Sequence, residues 1–307
     1  MKKYLFILLS AISIPLLSSA CDICGCGVGN SYIGILPDFR SHIFGLRYRY
    51  NAMQTHIGVG GTVSYLTSSE TYQTTEAWAG WNIGTHFRLM ASLPYGFNQR
   101  SNQGIQSRKN GLGDISLSAY YQLLNKRHTV QGSNILVQDL WLGGGIKMAT
   151  GEYNPKDKSS ANNNANLFQL GTGSYDFVMN AMYDIRLQDM GMNISASYKL
   201  NSENKYHYAY GNKLNLNAQV YYKFRVGNRF TIAPNTGIQY EDSGNDTDNG
   251  FTVTVSGGTL LMGTLGVETS FNKIAIGANF QTPVSQNLAN GIVKADSRCM
   301  IHLAIAL

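Results

Sequence analysis

Apolar and polar residues alternate with a period of two along most of the chain after residue 40. In SHIFGLRYRYN, residues 41–51, one face carries Phe44, Leu46, Tyr48 and Tyr50. The intervening positions hold Arg47, Arg49 and Asn51. Because successive side chains of a strand point to opposite faces, this pattern predicts a β-strand with one apolar and one polar face.

The same alternation recurs often enough to predict twelve strands. They cover residues 41–51, 72–83, 87–97, 114–123, 138–150, 167–187, 192–201, 213–225, 229–240, 257–271, 273–284 and 297–307. Short lower turns are predicted at 84–86, 188–190, 227–228 and 272–273, and longer polar upper loops near 52–71, 98–110, 151–166, 202–209, 241–256 and 285–296. One lower connection, near 125–137, is longer than this rule predicts.

The residues on the polar faces distinguish a membrane barrel from a soluble sandwich. These faces carry mostly Ser, Asn, Gln, Thr and Gly, whereas a face in contact with water is rich in Lys and Glu. The apolar faces often carry Tyr near their ends, as an interfacial aromatic girdle would. The last segment, 297–307, also alternates and can pair with the first to remove the sheet edge. Residues 41–307 are therefore predicted to form an all-β, transmembrane antiparallel barrel of about twelve strands in the outer membrane.

Composition supports this assignment and argues against others. Charged residues make up 14% of the chain, against about 25% in ordinary soluble domains. No apolar stretch of about 18 residues follows the first twenty, so no spanning helix is predicted. There is no run of five to eight Lys and Arg residues, so no nucleic-acid partner is expected. G-x-S-x-G and H-E-x-x-H motifs are also absent, and we therefore expect that the protein is not an enzyme.

The start of the chain predicts export. Lys2 and Lys3 precede an apolar run, and small residues lie at the −3 and −1 positions of a cleavage site before Cys21. Residues 1–20 are therefore predicted to be a signal peptide. Residues 21–40 are predicted to be a Cys-containing N-terminal periplasmic segment or a plug of the barrel.

Three cysteines, Cys21, Cys24 and Cys26, follow the predicted cleavage site directly. In an oxidising envelope a disulfide is the default, and Cys21 would pair with either of the others. Three thiolates also suit Cu(I) or Zn²⁺. Acylation of Cys21 as a lipoprotein anchor is the third hypothesis. The sequence leaves all three open, and no cofactor is expected beyond possible Cu(I) or Zn²⁺.

The predicted polar faces place fourteen charged residues in the barrel lumen. They are Arg47, Arg49, Glu76, Arg88, Asp114, Lys147, Asp176, Asp184, Arg186, Lys199, Lys223, Arg225, Glu268 and Arg298. Nine of these are cationic and five are anionic, which indicates a mildly cationic interior. Such an interior is either a conduit for small polar or anionic solutes or a salt-bridged filling of the barrel.

Four acidic residues cluster in EDSGNDTDNG, residues 241–250, within a predicted upper loop. They are Glu241, Asp242, Asp246 and Asp248. Loops rich in carboxylate oxygens can bind Ca²⁺, but the spacing here does not match an EF-hand. We therefore expect this segment to be a solvated surface loop.

Several sequence motifs resemble those of a known family. They are GLGDISL (111–117), WLGGGIKMATGEYN (141–154) and LGTGSYDF (170–177). They resemble the phenol-degradation MetA-like outer-membrane proteins over nearly the whole mature chain. The CDICGCG start followed by ILPDFRSHIFGLRYRY is similar to a Bacteroidetes version of these transporter-type β-barrels. The resemblance implies a barrel of about twelve strands and transport across the outer membrane, and it names no functional residues.

Three functions are compatible with the sequence. The first is a porin-like channel or transporter for a small solute, with the lipid bilayer as the partner of the barrel. The second is a metal-handling accessory that binds copper or zinc through the CxxCxC cluster. The third is a structural or adhesion barrel whose long loops face outward.

Overall fold

The computed structural model describes residues 41–58, 61–130, 132, 134–157, 166–227 and 229–307. The predicted signal peptide and the Cys-containing segment of residues 21–40 lie outside these residues. The hypotheses on Cys21, Cys24 and Cys26 therefore stay predictions.

The described residues form strands joined by turns and loops. The strands are β1 (Ile43–Thr55), β2 (Ser68–Ile83), β3 (Phe87–Asn102), β4 (Ile105–Leu112), β5 (Ser116–Val130), β6 (Asn134–Lys147), β7 (Asp176–Leu187), β8 (Met190–Leu200), β9 (Tyr208–Ala209), β10 (Lys213–Tyr222), β11 (Phe224–Val226), β12 (Phe230–Ser243), β13 (Thr247–Asp248), β14 (Phe251–Thr252), β15 (Gly258–Phe271), β16 (Ile274–Leu288) and β17 (Lys294–Ala306). Short 3-10 turns cover Pro155–Asp157 and Ala289–Gly291. Within the described ranges, no helix has the length and apolar character needed to cross a membrane.

The main sheet closes into a barrel. β1 pairs with both β2 and β17, and β10 pairs with both β8 and β12, so the sheet returns on itself. β4 and β5 pair with successive parts of β3 and form one interrupted wall strand, and β11 continues β10 along β12. The wall thus has twelve antiparallel strands, and each predicted segment overlaps one of them. The predicted all-β barrel is confirmed.

The wall strands have an apolar outer face and a polar inner face. In β1, Phe44 and Leu46 are exposed on the outside of the barrel. Arg47, the next residue along the strand, is buried inside. The same alternation exposes large apolar side chains around the whole barrel. An apolar outer surface and a polar interior are the arrangement that a lipid environment requires of a membrane barrel.

The two ends of the barrel differ in the length of their connections. The end where β1 begins, β17 ends and the chain passes from β2 to β3, β5 to β6, β7 to β8, β11 to β12 and β15 to β16 is called the turn end. The opposite end, where the chain passes from β1 to β2, β3 to β4, β6 to β7, β8 to β10, β12 to β15 and β16 to β17, is called the loop end. The expected long connection near 125–137 belongs to the turn end, and its prediction as unpaired chain was wrong. β5 and β6 stay paired down to Val130 and Asn134.

Two more boundaries differ from the sequence prediction. Residues 98–110 were expected to form a loop, but β3 and β4 remain paired up to Asn102 and Ile105. Gln103 and Gly104 both have positive φ, which gives a tight two-residue hairpin turn in place of a loop. The sixth wall strand, β7, was expected from residue 167, yet it begins at Asp176. The preceding residues fold into the barrel.

Candidate functional site

The polar faces of the wall strands meet in the lumen of the barrel. Thirteen of the fourteen predicted lumen charges have interior-facing side chains that are buried or half-buried: Arg47, Arg49, Glu76, Arg88, Asp114, Lys147, Asp176, Asp184, Arg186, Lys199, Lys223, Glu268 and Arg298. The remaining one, Arg225, is 59% exposed at the turn end, where its Nη2 lies 2.8 Å from Oδ1 of Asp189. β11, which carries Arg225, is exposed throughout, so alternation there no longer directs a side chain inward.

Aromatic side chains line the lumen near the turn end. Trp78, Tyr120 and Trp141 belong to one buried cluster that also includes side chains of β1, β7, β16 and β17. The guanidinium carbon of Arg88 lies 5.7 Å from the centroid of the Trp141 ring. Arg88 Nε also donates a hydrogen bond to Oδ1 of Asn82 at 2.7 Å. This part of the lumen is therefore rich in apolar side chains, and the Arg88 guanidinium is held against one of its aromatic rings.

Four large interior rings near the turn end each lie over a glycine on the neighbouring strand. A Cβ added to Gly45 would come within 2.3 Å of the Trp78 ring, its direct cross-strand partner. The same relation holds for three further cross-strand pairs: Gly143 with Tyr120, Gly191 with Tyr221, and Gly277 with His302. The glycines let these rings approach the wall closely, which is the arrangement known as aromatic rescue of glycine.

Ion pairs join neighbouring strands in the middle of the lumen. Arg49 Nη2 lies 3.1 Å from Oε2 of Glu76, and Arg47 Nη1 lies 3.9 Å from the same oxygen. Arg47 also lies over the Trp78 ring, 5.9 Å from its centroid. Two guanidinium groups on β1 thus share one buried carboxylate on β2.

A second group of charges lies on β10, β12 and β17. Arg298 Nη1 donates to Oε1 of Glu241 at 2.6 Å, and Lys213 Nζ lies 3.5 Å from Oε2 of Glu241. Gln239 Nε2 donates to the same carboxylate at 2.7 Å. Glu241 was expected in a solvated loop, which was wrong, because β12 continues to Ser243 and directs this residue into the lumen. Such pairing compensates much of the cationic excess and favours the salt-bridged description of the interior.

Part of the β6–β7 connection, residues 166–175, folds into the lumen and is called here the inward segment. Lys147 at the end of β6 holds its base, since Nζ lies 2.5 Å from Oδ2 of Asp114 and 2.9 Å from Oδ2 of Asp176. All three side chains are buried. Thr172 in the inward segment donates its backbone N–H to Asp114 at 2.9 Å and accepts a hydrogen bond from Lys147.

The tip of the inward segment is held against β3 and β4. The guanidinium of Arg100 lies over the Phe168 ring, 4.5 Å from its centroid. Lys109 Nζ donates to the carbonyl oxygen of Phe168 at 3.0 Å, and Asn98 donates to the carbonyl oxygen of Gln169 at 3.1 Å. Both backbone carbonyls at the tip are therefore bonded to polar side chains of the barrel wall.

The apolar side chains of this tip reach across the lumen. Leu167 and Phe168 form one buried cluster with side chains of other strands and of the last loop: Met53, Tyr72, Leu260, Met262, Leu288, Ala289, Val293 and Ala295. These residues belong to β1, β2, β15, β16, β17 and the turn between the last two. The inward segment thus narrows the lumen near the loop end with apolar side chains. Sequence alternation missed this feature, because LFQL in residues 167–170 also fits a strand.

Three loops at the loop end are joined by a buried tyrosine cluster. The Tyr208 hydroxyl donates to Oδ2 of Asp246, and the backbone N–H of Asn166 donates to the same hydroxyl at 3.1 Å. Tyr210 donates to the carbonyl oxygen of Asn166 at 3.0 Å, and Tyr153 packs against this cluster. Burial, with the Asp246 carboxylate alongside, raises the pKa of Tyr208 well above its ordinary value. Asp246 is fully buried, so its predicted place in a solvated loop was wrong.

No metal centre occurs in the part of the chain that the structure describes. No group of three or more His, Cys, Asp or Glu residues there is arranged to hold a metal ion. Cys299 is a free, half-buried thiol. The predicted Cu(I) or Zn²⁺ ligands Cys21, Cys24 and Cys26 lie outside the described residues and stay a prediction.

These features define the class of protein. A closed twelve-stranded antiparallel barrel with an apolar exterior, aromatic residues near both ends and a polar interior is an outer-membrane β-barrel of channel architecture. The chain belongs to the family described as "Putative MetA-pathway of phenol degradation", which matches residues 48–288. No curated protein sequence matches it.

Solved structures share this fold. An outer membrane channel from Pseudomonas putida F1 aligns with a TM-score of 0.57 and 12% identity, covering 92% of this chain and 100% of that chain. The β-domain of the Bordetella autotransporter BrkA aligns with a TM-score of 0.50 and 11% identity, covering 87% of this chain and 100% of that chain. Both similarities concern the architecture of the barrel.

Proposed function

We propose that this outer-membrane barrel is a channel for small, uncharged solutes that combine an apolar ring with a hydroxyl group. The observation that carries the proposal is the inward segment, which places Leu167 and Phe168 across the lumen while polar residues line the wall below. A narrow apolar passage favours solutes that lose little hydration on entry, because burying an unpaired charge is costly.

The charges of the interior support an uncharged cargo. The lumen cations Arg47 and Arg49 share Glu76, and Lys147 lies between Asp114 and Asp176. Since these cations are engaged by carboxylates, they offer a dissolved anion little net attraction. We therefore expect the cargo to be an uncharged amphiphilic solute and not the anionic solute that the sequence allowed.

The family description adds a chemical class to this argument. It refers to phenol degradation, and phenol is a small aromatic ring with one hydroxyl group. The aromatic residues Trp78, Tyr120 and Trp141 and the buried amides Asn217, Gln219 and Gln239 supply surfaces for a ring and partners for a hydroxyl. A metal-handling role through the cysteine cluster and a structural or adhesion role stay hypotheses from the sequence alone.

The first prediction tests the inward segment as the constriction. Phe168→Ala removes the largest apolar side chain of its tip, and we expect the single-channel conductance of the full chain in planar bilayers to rise at least about twofold. Liposomes containing this variant should also admit phenol faster. The ring lies between Arg100 and the opposite wall, so its loss directly widens the passage.

Phe251→Ala is the matched control, because Phe251 is 79% exposed at the tip of the β13–β14 hairpin. Its conductance should equal that of the unaltered protein. Equal conductance of the Phe168 and Phe251 variants would contradict the constriction. Wild-type liposomes that admit phenol no faster than empty ones would contradict the channel itself.

A further inference from the structure

The turn end of the barrel carries an excess of exposed cations. Lys126 and Arg127 lie in the β5–β6 hairpin, Arg229 precedes β12, and Lys273 lies between β15 and β16. All four side chains are exposed. Arg225 is also exposed there, but it pairs with Asp189 at 2.8 Å. The other four cations, Lys126, Arg127, Arg229 and Lys273, are called here the basic rim.

The loop end has no comparable excess in the described residues. Its exposed cations, Arg108, Lys156, Lys205 and Lys294, are interspersed with the acidic residues Glu152, Glu203, Asp248 and Asp296. The charge asymmetry therefore belongs to one end of the barrel and does not follow from the basic composition of the whole chain.

The basic rim adjoins a belt of outward-facing aromatic residues. The exposed members of this belt lie within a few residues of the turns: Phe44, Trp81, Phe87, Tyr121, Tyr222, Phe224 and Phe271. Phe87 and Tyr121 pack with their ring centroids 4.9 Å apart, and Tyr222 and Phe224 do so at 4.7 Å. Aromatic belts on membrane barrels mark the boundary between the hydrocarbon and the headgroups.

The cations of the basic rim lie just beyond that boundary. Phe87 begins β3 beside the hairpin that holds Lys126 and Arg127, and Phe271 ends β15 two residues before Lys273. Side chains at this level reach the phosphate groups of lipids, and long Lys and Arg side chains extend readily toward them. Soluble partners would need no alignment with the aromatic belt.

We propose that the basic rim binds the headgroups of anionic phospholipids in the leaflet that surrounds the turn end. Each phosphate accepts hydrogen bonds from the guanidinium or ammonium groups, and the aromatic belt holds the barrel at the depth where these contacts form. The binding site is a collar around the outside of the barrel and is separate from the lumen.

Native mass spectrometry of the full chain tests this proposal. The protein is released from mixed micelles that contain equal amounts of phosphatidylglycerol and phosphatidylcholine, and retained lipids are counted. We expect the wild type to retain phosphatidylglycerol preferentially. The variant Lys126→Gln, Arg127→Gln, Arg229→Gln and Lys273→Gln should lose this preference by on the order of tenfold.

The matched control neutralises four exposed cations of the loop end: Arg108→Gln, Lys156→Gln, Lys205→Gln and Lys294→Gln. It should keep the preference of the wild type, and heat-modifiable migration in gels shows that both variants are folded barrels. An equal loss in the two variants, or no preference in the wild type, would overturn the proposal. Displacement of phosphatidylglycerol by soluble polyglutamate at equal charge would also overturn it and assign the rim to an acidic protein partner.

Discussion

At the scale of single residues, Lys147 decides how the inward segment is held. Its ammonium group lies between the carboxylates of Asp114 and Asp176, and all three groups are removed from water. A buried charge is tolerated only when partners compensate it, so the three residues act as one unit. They join the end of β6, the break between β4 and β5, and the start of β7.

Replacing Lys147 alone should therefore destabilise the folded protein strongly. Lys147→Met leaves two buried carboxylates without a cation, and we expect the free energy of unfolding to fall by about 3–5 kcal/mol. Urea unfolding in detergent, followed by tryptophan fluorescence, measures this change. The triple variant that adds Asp114→Asn and Asp176→Asn should recover most of the loss. A triple variant as unstable as the single one would show that packing, not charge, explains the effect.

At the scale of elements, cross-strand contacts position the rings of the lumen. Gly45 on β1 lies directly opposite Trp78 on β2, and the indole occupies the space that a β-carbon would need. The pairing register and the side-chain choice are thus coupled, because a shift by one residue would turn Trp78 toward the lipid.

The substitution Gly45→Ala tests this coupling. The added methyl group would come within 2.3 Å of the indole, so Trp78 must move toward the lumen axis. We expect a loss of about 1–3 kcal/mol in stability and a lower conductance. Gly263→Ala is the control, since the nearest atom to its added carbon is 3.5 Å away. If Gly45→Ala leaves both the conductance and the tryptophan emission unchanged, the ring does not depend on the glycine.

The loop elements predict a response to alkaline pH. The pKa of Tyr208 is raised from its ordinary value of 10.0, because the hydroxyl is buried beside Asp246. The Tyr208 hydroxyl therefore keeps its proton above pH 10 while the loops are closed, whereas in opened loops it loses the proton near pH 10. The stability that Tyr208 contributes is therefore complete below pH 10 and decreases as the pH rises above it.

Limited proteolysis of the loop end between pH 8 and 11 measures this response. Cleavage of the wild-type loops should increase above pH 10. Tyr208→Phe should be cleaved faster at pH 8 and show a weaker dependence on pH, whereas Tyr65→Phe, which alters a 77% exposed side chain, should behave like the wild type. A pH dependence that is identical in all three proteins would assign the effect to other groups.

At the scale of the whole molecule, the barrel separates two chemical environments. Its outer wall meets lipid, its interior carries compensated charges and aromatic rings, and its two ends differ in charge. The inward segment and the tyrosine cluster belong to the loop end, whereas the basic rim belongs to the turn end. The proposed solute passage thus uses the inner surface of the barrel wall, and the proposed headgroup binding uses its outer surface.

Local alternation predicted the strands and their faces well. Phe44 and Arg47 lie on the sides that their spacing indicates, since a strand of one buried and one lipid-facing side must alternate. It failed at residues 167–175 and at Glu241, because a period of two cannot tell a wall strand from a segment that crosses the lumen, or a loop from the end of a long strand. Those distinctions depend on contacts with Arg100, Lys147 and Arg298, which are distant in sequence.

The amino-acid pattern alone was enough to predict the class of this protein, because the twelve alternating segments and their low charge admit few environments other than a membrane. Which lumen charges pair, where the passage narrows and which end is basic became visible only in the folded barrel. Each of these depends on how strands far apart in sequence are brought together when the sheet closes on itself, as β10 meets β12 and β1 meets β17.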